Sequence, residues 1–346
     1  MGDFEFAAQA VIVTTGGIGG NHEIVRRYWP QRMGTPPASM ITGVPAYVDG
    51  RMLDIAADSG VRLVNRDRMW HYTEGVQNWD PIWPGHAIRI LPGPSSMWFD
   101  ALGRRLPEPY LPGYDTLGTL RYLRTTPEIA GYDHSWFILT QKIIEREFAL
   151  SGSEQNPPDI TSKDRAGFLK ERLLSKGAPA PVEAFKRNGA DFVVADGLDE
   201  LVAKMNALTD EPLLDAGVIR RQIESRDLQM ANPYAKDAQV QGIRNSRRYI
   251  GDRIGRTAAP PHRILDPAAG PPLIGVKLHI LTRKTLGGIQ TDLSSRAIGT
   301  DGNPVDGLYA AGGEVAGFGG GGVHGYNALE GGTFLGAACS PAAPRQ

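Results

Sequence analysis

The stretch "GLYAAGGEVAGFGGGGVHGYNALEGG", residues 307–332, sets eleven glycines around the carboxylate of Glu314 and one imidazole, His324, with Glu330 near its end. Glycine lets a backbone come close to a ligand and present bare N–H groups. A carboxylate among such turns can accept hydrogen bonds from hydroxyls, and a histidine can act as an acid–base group near neutral pH. Blander readings stand beside these: Glu314 as a carboxylate on a surface loop, His324 as a satisfied side chain in a glycine-rich turn. A second cluster, "TTGGIGGN" with Thr15, Gly16 and Gly17, follows the apolar run "AVIV". A third, Gly287 and Gly288, follows the cations Arg283 and Lys284. Glycine supplies 43 of 346 residues, well above the usual ~7%, so close backbone approach recurs along the chain.

Composition removes several function classes. With 41% apolar and 22% charged residues, the chain is of a globular type and long enough for two cores. A net charge of -1 gives no electrostatic reason for nucleic acid or an anionic membrane as partner, and leaves room for a small neutral ligand. One cysteine, Cys339, rules out a disulfide framework and a thiolate zinc site and suits a reducing cytoplasm. No apolar run approaches the ~20 residues of a membrane helix. No H-E-x-x-H, G-x-S-x-G or P-loop lysine occurs, and the seven histidines are scattered, so no metal or hydrolase chemistry has a motif to stand on.

The elements that must hold these groups alternate at both ends of the chain. "DFEFAAQAVIV" reads as an alternating strand with Phe4 and Phe6 on one face, entering a buried apolar strand Ala10 to Val13. Asn21 can cap a helix over "HEIVRRYW" that Pro30 stops. A turn at Asp49-Gly50, a helix from Arg51 to Ser59 ended by Gly60, and a strand Val61 to Val64 continue the α/β rhythm. From Arg66 the prolines and tryptophans of "MWHYTEGVQNWDPIWPGHAIRILPGPSSMWF" predict a loop-rich region, either aromatic core or ligand wall. The middle third then reads as mostly α. The cluster of Arg244, Arg247, Arg248, Arg253 and Arg256 lies on a helical pattern and reads as a solvated or internally paired face. Near the end, "LIGVKLHILT" and a strand pair across the Asp301-Gly302 turn restore the sheet, which the first and last segments complete together.

The motifs "AVIVTTGGIGGN", "VDGRMLDIAADSGVRLV", "RKTLGGIQTD" and "GLYAAGGEVAG…GVHGYNALEGG", in this order and over nearly the whole chain, resemble the fumarate reductase and 3-ketosteroid dehydrogenase superfamily of FAD flavoproteins. Within that superfamily they resemble the ketosteroid-dehydrogenase-like FAD-binding dehydrogenases. The resemblance implies an α/β fold. A Rossmann-like FAD domain, 1–66 with 273–346, is interrupted by an α+β cap, 67–272, and the substrate lies between cap and flavin. It implies FAD as cofactor, with Thr15, Gly16 and Gly17 as a second glycine turn on the adenine and ribose side. Asp49 falls at a flavin-side position, Gly287 and Gly288 are cofactor-binding positions, and Glu314 would accept a ribityl hydroxyl. Gly331, Gly332 and Thr333 would begin a helix whose N–H groups meet the flavin's pyrimidine carbonyls, where negative charge gathers on reduction.

Departures from the family pattern qualify the expectation. The opening G-x-G-x-x-G fingerprint with its ribose-binding acid is absent, so the chain reads as the carboxy-terminal part of a longer flavoprotein. "AAGGE" and "ALEGGT" each carry one glycine more than the relatives' pattern. The positions matching the dicarboxylate clamp of fumarate reductases hold Lys284 and Ala328, which argues against fumarate. A ketosteroid-type reaction needs a group that withdraws a proton while hydride leaves the adjacent carbon. His324 and Tyr326, with Tyr72 or Tyr132 from the cap, are the candidates, and Arg283 and Lys284 could stabilise an enolate. The expectation is a flavin-dependent dehydrogenase acting at a CH-CH or C=C bond beside a carbonyl of a bulky apolar, steroid-like substrate, with an unknown electron acceptor. The alternative is a truncated non-catalytic fragment or binding module that does not hold FAD.

Overall fold

The computed structural model describes residues 5–91, 93–113, 115–147, 149–151, 177–178, 180–250, 261–266 and 271–312. In chain order its elements begin β1 (Val11–Val13), α1 (His22–Arg27), β2 (Ile41–Thr42), α2 (Arg51–Asp58), β3 (Leu63–Val64), β4 (Met69–Gln77), β5 (Ala87–Leu91) and β6 (Met97–Phe99). Next come α3 (Thr116–Thr125), β7 (His134–Thr140), α4 (Gln141–Glu147), β8 (Ala149–Ser151), α5 (Ala180–Asn188), β9 (Phe192–Ala195) and α6 (Leu198–Asn206). Last are α7 (Ala216–Met230), α8 (Ala238–Ser246), β10 (Leu273–Thr285), β11 (Gly288–Ile289), β12 (Arg296–Ile298) and β13 (Pro304–Ala310). The chain divides into two compact units: Met1–Pro36 with Thr42–His71 and Thr282–Gln346, and Pro37–Ile41 with Tyr72–Leu281.

In the first unit β1 runs parallel to β13, Val11 opposite Leu308 and Val13 opposite Ala310, and β12 adds antiparallel to β13. The amino-terminal and carboxy-terminal segments therefore share one sheet. The strand is shorter and barer than its composition implies. Residues 5–10 form no strand, Phe6 is exposed, and of β1 only Val13 is buried, Val11 and Ile12 being 52% and 47% exposed. An apolar run is buried only where another layer covers it, and among the described residues that cover reaches Val13 alone. The α1 helix starts where Asn21 Oδ1 accepts the N–H groups of Glu23 and Ile24, both at 3.2 Å. The α2 helix follows Gly50 and buries Leu53 and Ala56. β3 pairs antiparallel with β11, Val64 opposite Gly288.

The second unit is built on an antiparallel sheet. β10 lies between β7 and β9 over Leu273 to Val276, and β7 also carries β6, while β5 joins β4 to β8. Phe99, Trp136, Phe137 and Ile274 fill the core, into which α5, α6 and α7 bring Phe185, Leu201, Met205 and Ile223. One expectation needs correction. The region after Arg66 is not loop-rich: it forms the nine-residue β4 as well as β5 and β6, because Pro81, Pro84 and Pro94 fall in the connections and leave the strands' N–H groups intact. From α4 to α8 the described middle of the chain is mostly α, as its spacing predicts, with only the short strands β8 and β9 between its helices. Trp98 is core, its Nε1 donating to Ser135 Oγ at 2.9 Å. Two of the clustered arginines are internally paired: Arg244 donates to the carbonyls of Met230 and Asn232, Arg247 to Glu147.

Candidate cofactor site

Parallel strands collect ligands beyond their carboxyl ends, where the connecting turns leave polar backbone exposed. In the first unit that edge follows Val13 and Ala310. Beyond β1 the chain passes Thr15, which is exposed, to Gly16 at φ 78° and the buried Gly17. Beyond β13 it passes Ala311 to Gly312 at φ 102°. In the turn over residues 16–20 two backbone donors are already engaged. Ile18 N–H goes to Thr285 Oγ1 (3.0 Å), Gly20 N–H to the Val48 carbonyl (2.8 Å), and the first-turn N–H groups of α1 to Asn21. A helix end whose donors are capped has little left for a pyrophosphate.

The end of β10 holds this turn in place. Thr282 Oγ1 donates to the Gly19 carbonyl at 2.6 Å, and Thr285 receives Ile18. Arg283 gives its backbone N–H to His71 Nδ1 (3.1 Å) and its guanidinium to the Gly43 carbonyl (3.1 Å). Since His71 Nδ1 accepts, the neutral ring carries its proton on Nε2, 3.2 Å from Met69 Sδ. Burial, and secondarily His22, push His71 down to about 3. Burial and Arg26 also lower His22, which bonds Thr42 Oγ1 at 2.8 Å.

Beside the turn lies a small, partly open pocket. Ile18, Ile24, Leu53 and Leu63 give it apolar walls; Tyr28, Asp54 and Arg66 give it polar groups; Gly50, Thr285, Gly287 and Gly288 complete it. Arg66 donates to the Tyr28 hydroxyl and lies over its ring, 5.2 Å from the centroid.

The structure thus brings Gly17, Gly287 and Gly288 together around Thr285. Asp49, next to the pocket's Gly50, has its carboxylate on Arg51, accepting that residue's N–H at 3.1 Å and pairing with its Nε at 2.6 Å. Lys284 is a residue of β10. Tyr72 and Tyr132 belong to the second unit: the Arg89 guanidinium lies 4.2 Å over the Tyr72 ring, and Tyr132 meets the His134 ring edge to face. Glu314, His324, Tyr326, Gly331, Gly332 and Thr333 lie outside the described residues. Sequence reasoning passed over Thr285, Thr282, Tyr28, Arg66 and His71. The first stood inside the quoted "RKTLGG" motif, whereas nothing local marks His71, whose partner is 212 positions away.

Residues 1–334 match the family described as FAD binding domain, and the chain belongs to that family. A KsdD-like steroid dehydrogenase of Mycobacterium tuberculosis is 60% identical over 336 residues, covering 97% of this chain and 58% of its own length. The chain therefore spans about three fifths of the curated relatives it matches. In fold it is similar to the 3-ketosteroid Δ1-dehydrogenase of Sterolibacterium denitrificans, solved with 1,4-androstadiene-3,17-dione (TM-score 0.60, 16% identity, 95% of this chain and 51% of that one). It is also similar to a flavocytochrome c3 fumarate reductase (TM-score 0.54, 15% identity, 95% and 45%). The fold is the mixed α/β fold of FAD-dependent flavoproteins, and FAD is the cofactor of the family.

The described residues fit part of such a molecule. The pocket offers the apolar walls of Ile18, Ile24, Leu53 and Leu63 to an apolar ring of such a ligand. Its polar groups are those a hydroxyl- and carbonyl-bearing ligand needs. Among the described residues no helix is long and apolar enough to cross a membrane, and no cluster of metal-ligating side chains occurs.

Proposed function

We propose that the chain is the larger part of an FAD-dependent dehydrogenase acting on a CH-CH or C=C bond beside a carbonyl of a bulky, apolar, steroid-like substrate in a reducing cytoplasm. The observation that carries this reading is the parallel β1–β13 pair, whose carboxyl ends lead to Gly16 and Gly312, both at positive φ. The names of the related proteins support the substrate class. Family membership across residues 1–334 speaks against the alternative of a module without FAD.

When bound, FAD supplies the group that takes or gives a hydride at N5. The protein's share is binding and proton handling. Thr15, Gly16, Gly17 and Asp49 lie on the adenine, ribose and flavin approaches, and Gly287 and Gly288 shape the pocket floor. Glu314 accepts from the ribityl chain, and Gly331, Gly332 and Thr333 donate backbone N–H groups to the ring's carbonyls. Oxidation of the substrate removes a hydride from one carbon and a proton from its neighbour. Tyr326 or His324 receives that proton, and Lys284 stabilises charge on the substrate's carbonyl oxygen. Arg283 is less suited, its guanidinium being held by Gly43. Residues 67–272 are assigned as the cap.

The test is to purify the chain, add FAD, and follow flavin absorbance through gel filtration. Steroid enones and ketones are then offered with an artificial electron acceptor. Co-eluting flavin and substrate-dependent acceptor reduction are expected; colourless protein with no turnover sinks the reading.

A further inference from the structure

We infer that the Thr285 hydroxyl is both the latch of the glycine turn and a hydrogen-bond donor to the molecule in the pocket, a role that rests on the FAD reading. Thr285 is 2% exposed, and its Oγ1 accepts the Ile18 N–H at 3.0 Å. The turn presses on this same oxygen: a Cβ added to Gly17 would fall 2.3 Å from Oγ1 and 2.5 Å from Thr285 Cβ. Position 17 must therefore be glycine for the latch to close. Three residues earlier Thr282 takes the Gly19 carbonyl, and the Arg283 carbonyl lies 2.7 Å from where a Gly19 Cβ would stand. The turn over residues 16–20 is thus fixed to the end of β10 by two hydroxyls of opposite polarity, one accepting and one donating.

The accepting hydroxyl still carries its own proton. Among the described residues no acceptor for that proton is recorded, and Thr285 lines the pocket with Ile18, Gly287 and Gly288. A buried hydroxyl keeps both functions only if it also donates. The partner is consequently an acceptor atom of the ligand: a ring nitrogen, a carbonyl or a phosphate oxygen, each of which FAD offers. Valine at this position would match the shape but leave the Ile18 N–H buried without an acceptor and the ligand atom without a donor. Serine would restore both.

The experiment compares wild type, Thr285→Val and Thr285→Ser in the full chain, with two readouts. Amide exchange at Ile18, measured without added FAD, reads the latch alone; FAD affinity, from flavin fluorescence, reads the donor. For Thr285→Val, Ile18 exchange is expected to accelerate at least about tenfold and FAD binding to weaken on the order of tenfold, one hydrogen bond's worth. Thr285→Ser is expected to stay within about threefold of wild type on both. Unchanged exchange in the valine variant overturns the latch. Wild-type affinity in that variant, or equal losses in the serine and valine variants, overturns the donor role. Failure of wild type to bind FAD sinks the FAD reading and the donor role with it, and the exchange result still decides the latch.

Discussion

Gly287 lies against the backbone of Asn65 so closely that a Cβ on it would stand 2.1 Å from the Asn65 carbonyl oxygen and 2.9 Å from the Arg66 nitrogen. Those atoms are main chain and cannot swing aside. Asn65 itself sits at φ 54°, and the neighbouring Leu286 N–H is bound to the Arg68 carbonyl at 2.8 Å, so both sides of the contact are pinned. Gly287→Ala is expected to cost at least about 2 kcal/mol in urea denaturation and to deform the pocket. Gly131→Ala, where an added Cβ meets nothing within 4 Å, serves as the control and should stay within about 0.5 kcal/mol. Equal stabilities for the two variants would show that the loop at Asn65 yields.

His71 makes the first unit acid-sensitive. Its pKa in the folded chain, about 3, lies below the ordinary histidine value near 6.5. Between those values the unfolded chain binds the extra proton, so its contribution is intact above pH ~6.5 and is lost progressively as pH falls toward 3, at up to about 1.4 kcal/mol per unit. His71→Asn offers an acceptor for the Arg283 N–H without a titrating group. It should be less stable at pH 7 yet lose less stability between pH 6.5 and 4. Parallel slopes for variant and wild type in urea titrations at several pH values would assign the acid sensitivity elsewhere.

What the sequence disclosed and what it hid divide along physical lines. Features written in local chemistry were legible: the Asn21 cap, the Asp49-Gly50 turn before α2, the helical spacing of α5 to α7, and the apolar run of β10. So was the likeness carried by the glycine motifs, because a backbone that must approach a cofactor tolerates few alternatives to glycine. Burial was harder to read. Val11 and Ile12 are as apolar as Val13, yet are half exposed, since cover comes from elsewhere in the chain. The prolines after Arg66 masked β4 and β5 because their effect depends on whether they fall inside a strand or one residue outside it. Thr285 escaped notice for a similar reason: its partner Ile18 is 267 positions away, and no local spacing encodes such a contact.

In the second unit Asp237 joins two elements at one carboxylate. It caps α8 by accepting the Val240 N–H at 3.0 Å, and it takes Arg105 through both oxygens at 2.5 and 3.2 Å. Burial tends to raise its pKa, but Arg105 and the capping bond outweigh this and leave it lowered. Its stabilisation is therefore full above the ordinary aspartate range and is lost as pH falls through the lowered folded value. Asp237→Ala should cost roughly 2–3 kcal/mol, combining a cap and a half-buried bidentate pair, and Asp237→Asn about half that. An alanine variant within about 0.5 kcal/mol of wild type in chemical denaturation would mean that neither the cap nor the pair contributes appreciably.

Arg226 is the most deeply buried cation described, its side chain 0% exposed. Its NH1 donates to the carbonyls of Ser95 (3.0 Å) and His262 (3.3 Å), and NH2 lies 3.0 Å from Asp227 Oδ1. Burial lowers it to about 10, against the opposing pull of Asp227, so it is charged at neutral pH. Burial raises Asp227 despite Arg226 and the backbone N–H groups of Ile264 and Leu265. Arg226→Met strands that carboxylate, at an expected cost of about 3–5 kcal/mol at pH 7. Without the cation the folded pKa of Asp227 climbs further above its unfolded value, and a raised carboxylate pKa loses stability as pH rises between the two. The variant should therefore be less destabilised at pH 5 than at pH 7, and adding Asp227→Asn should recover part of the loss at pH 7. Urea denaturation of the wild type, both single variants and the double at the two pH values measures this. A pH-independent loss, with no recovery in the double variant, would place the contribution of Arg226 in its carbonyl contacts and not in the ion pair.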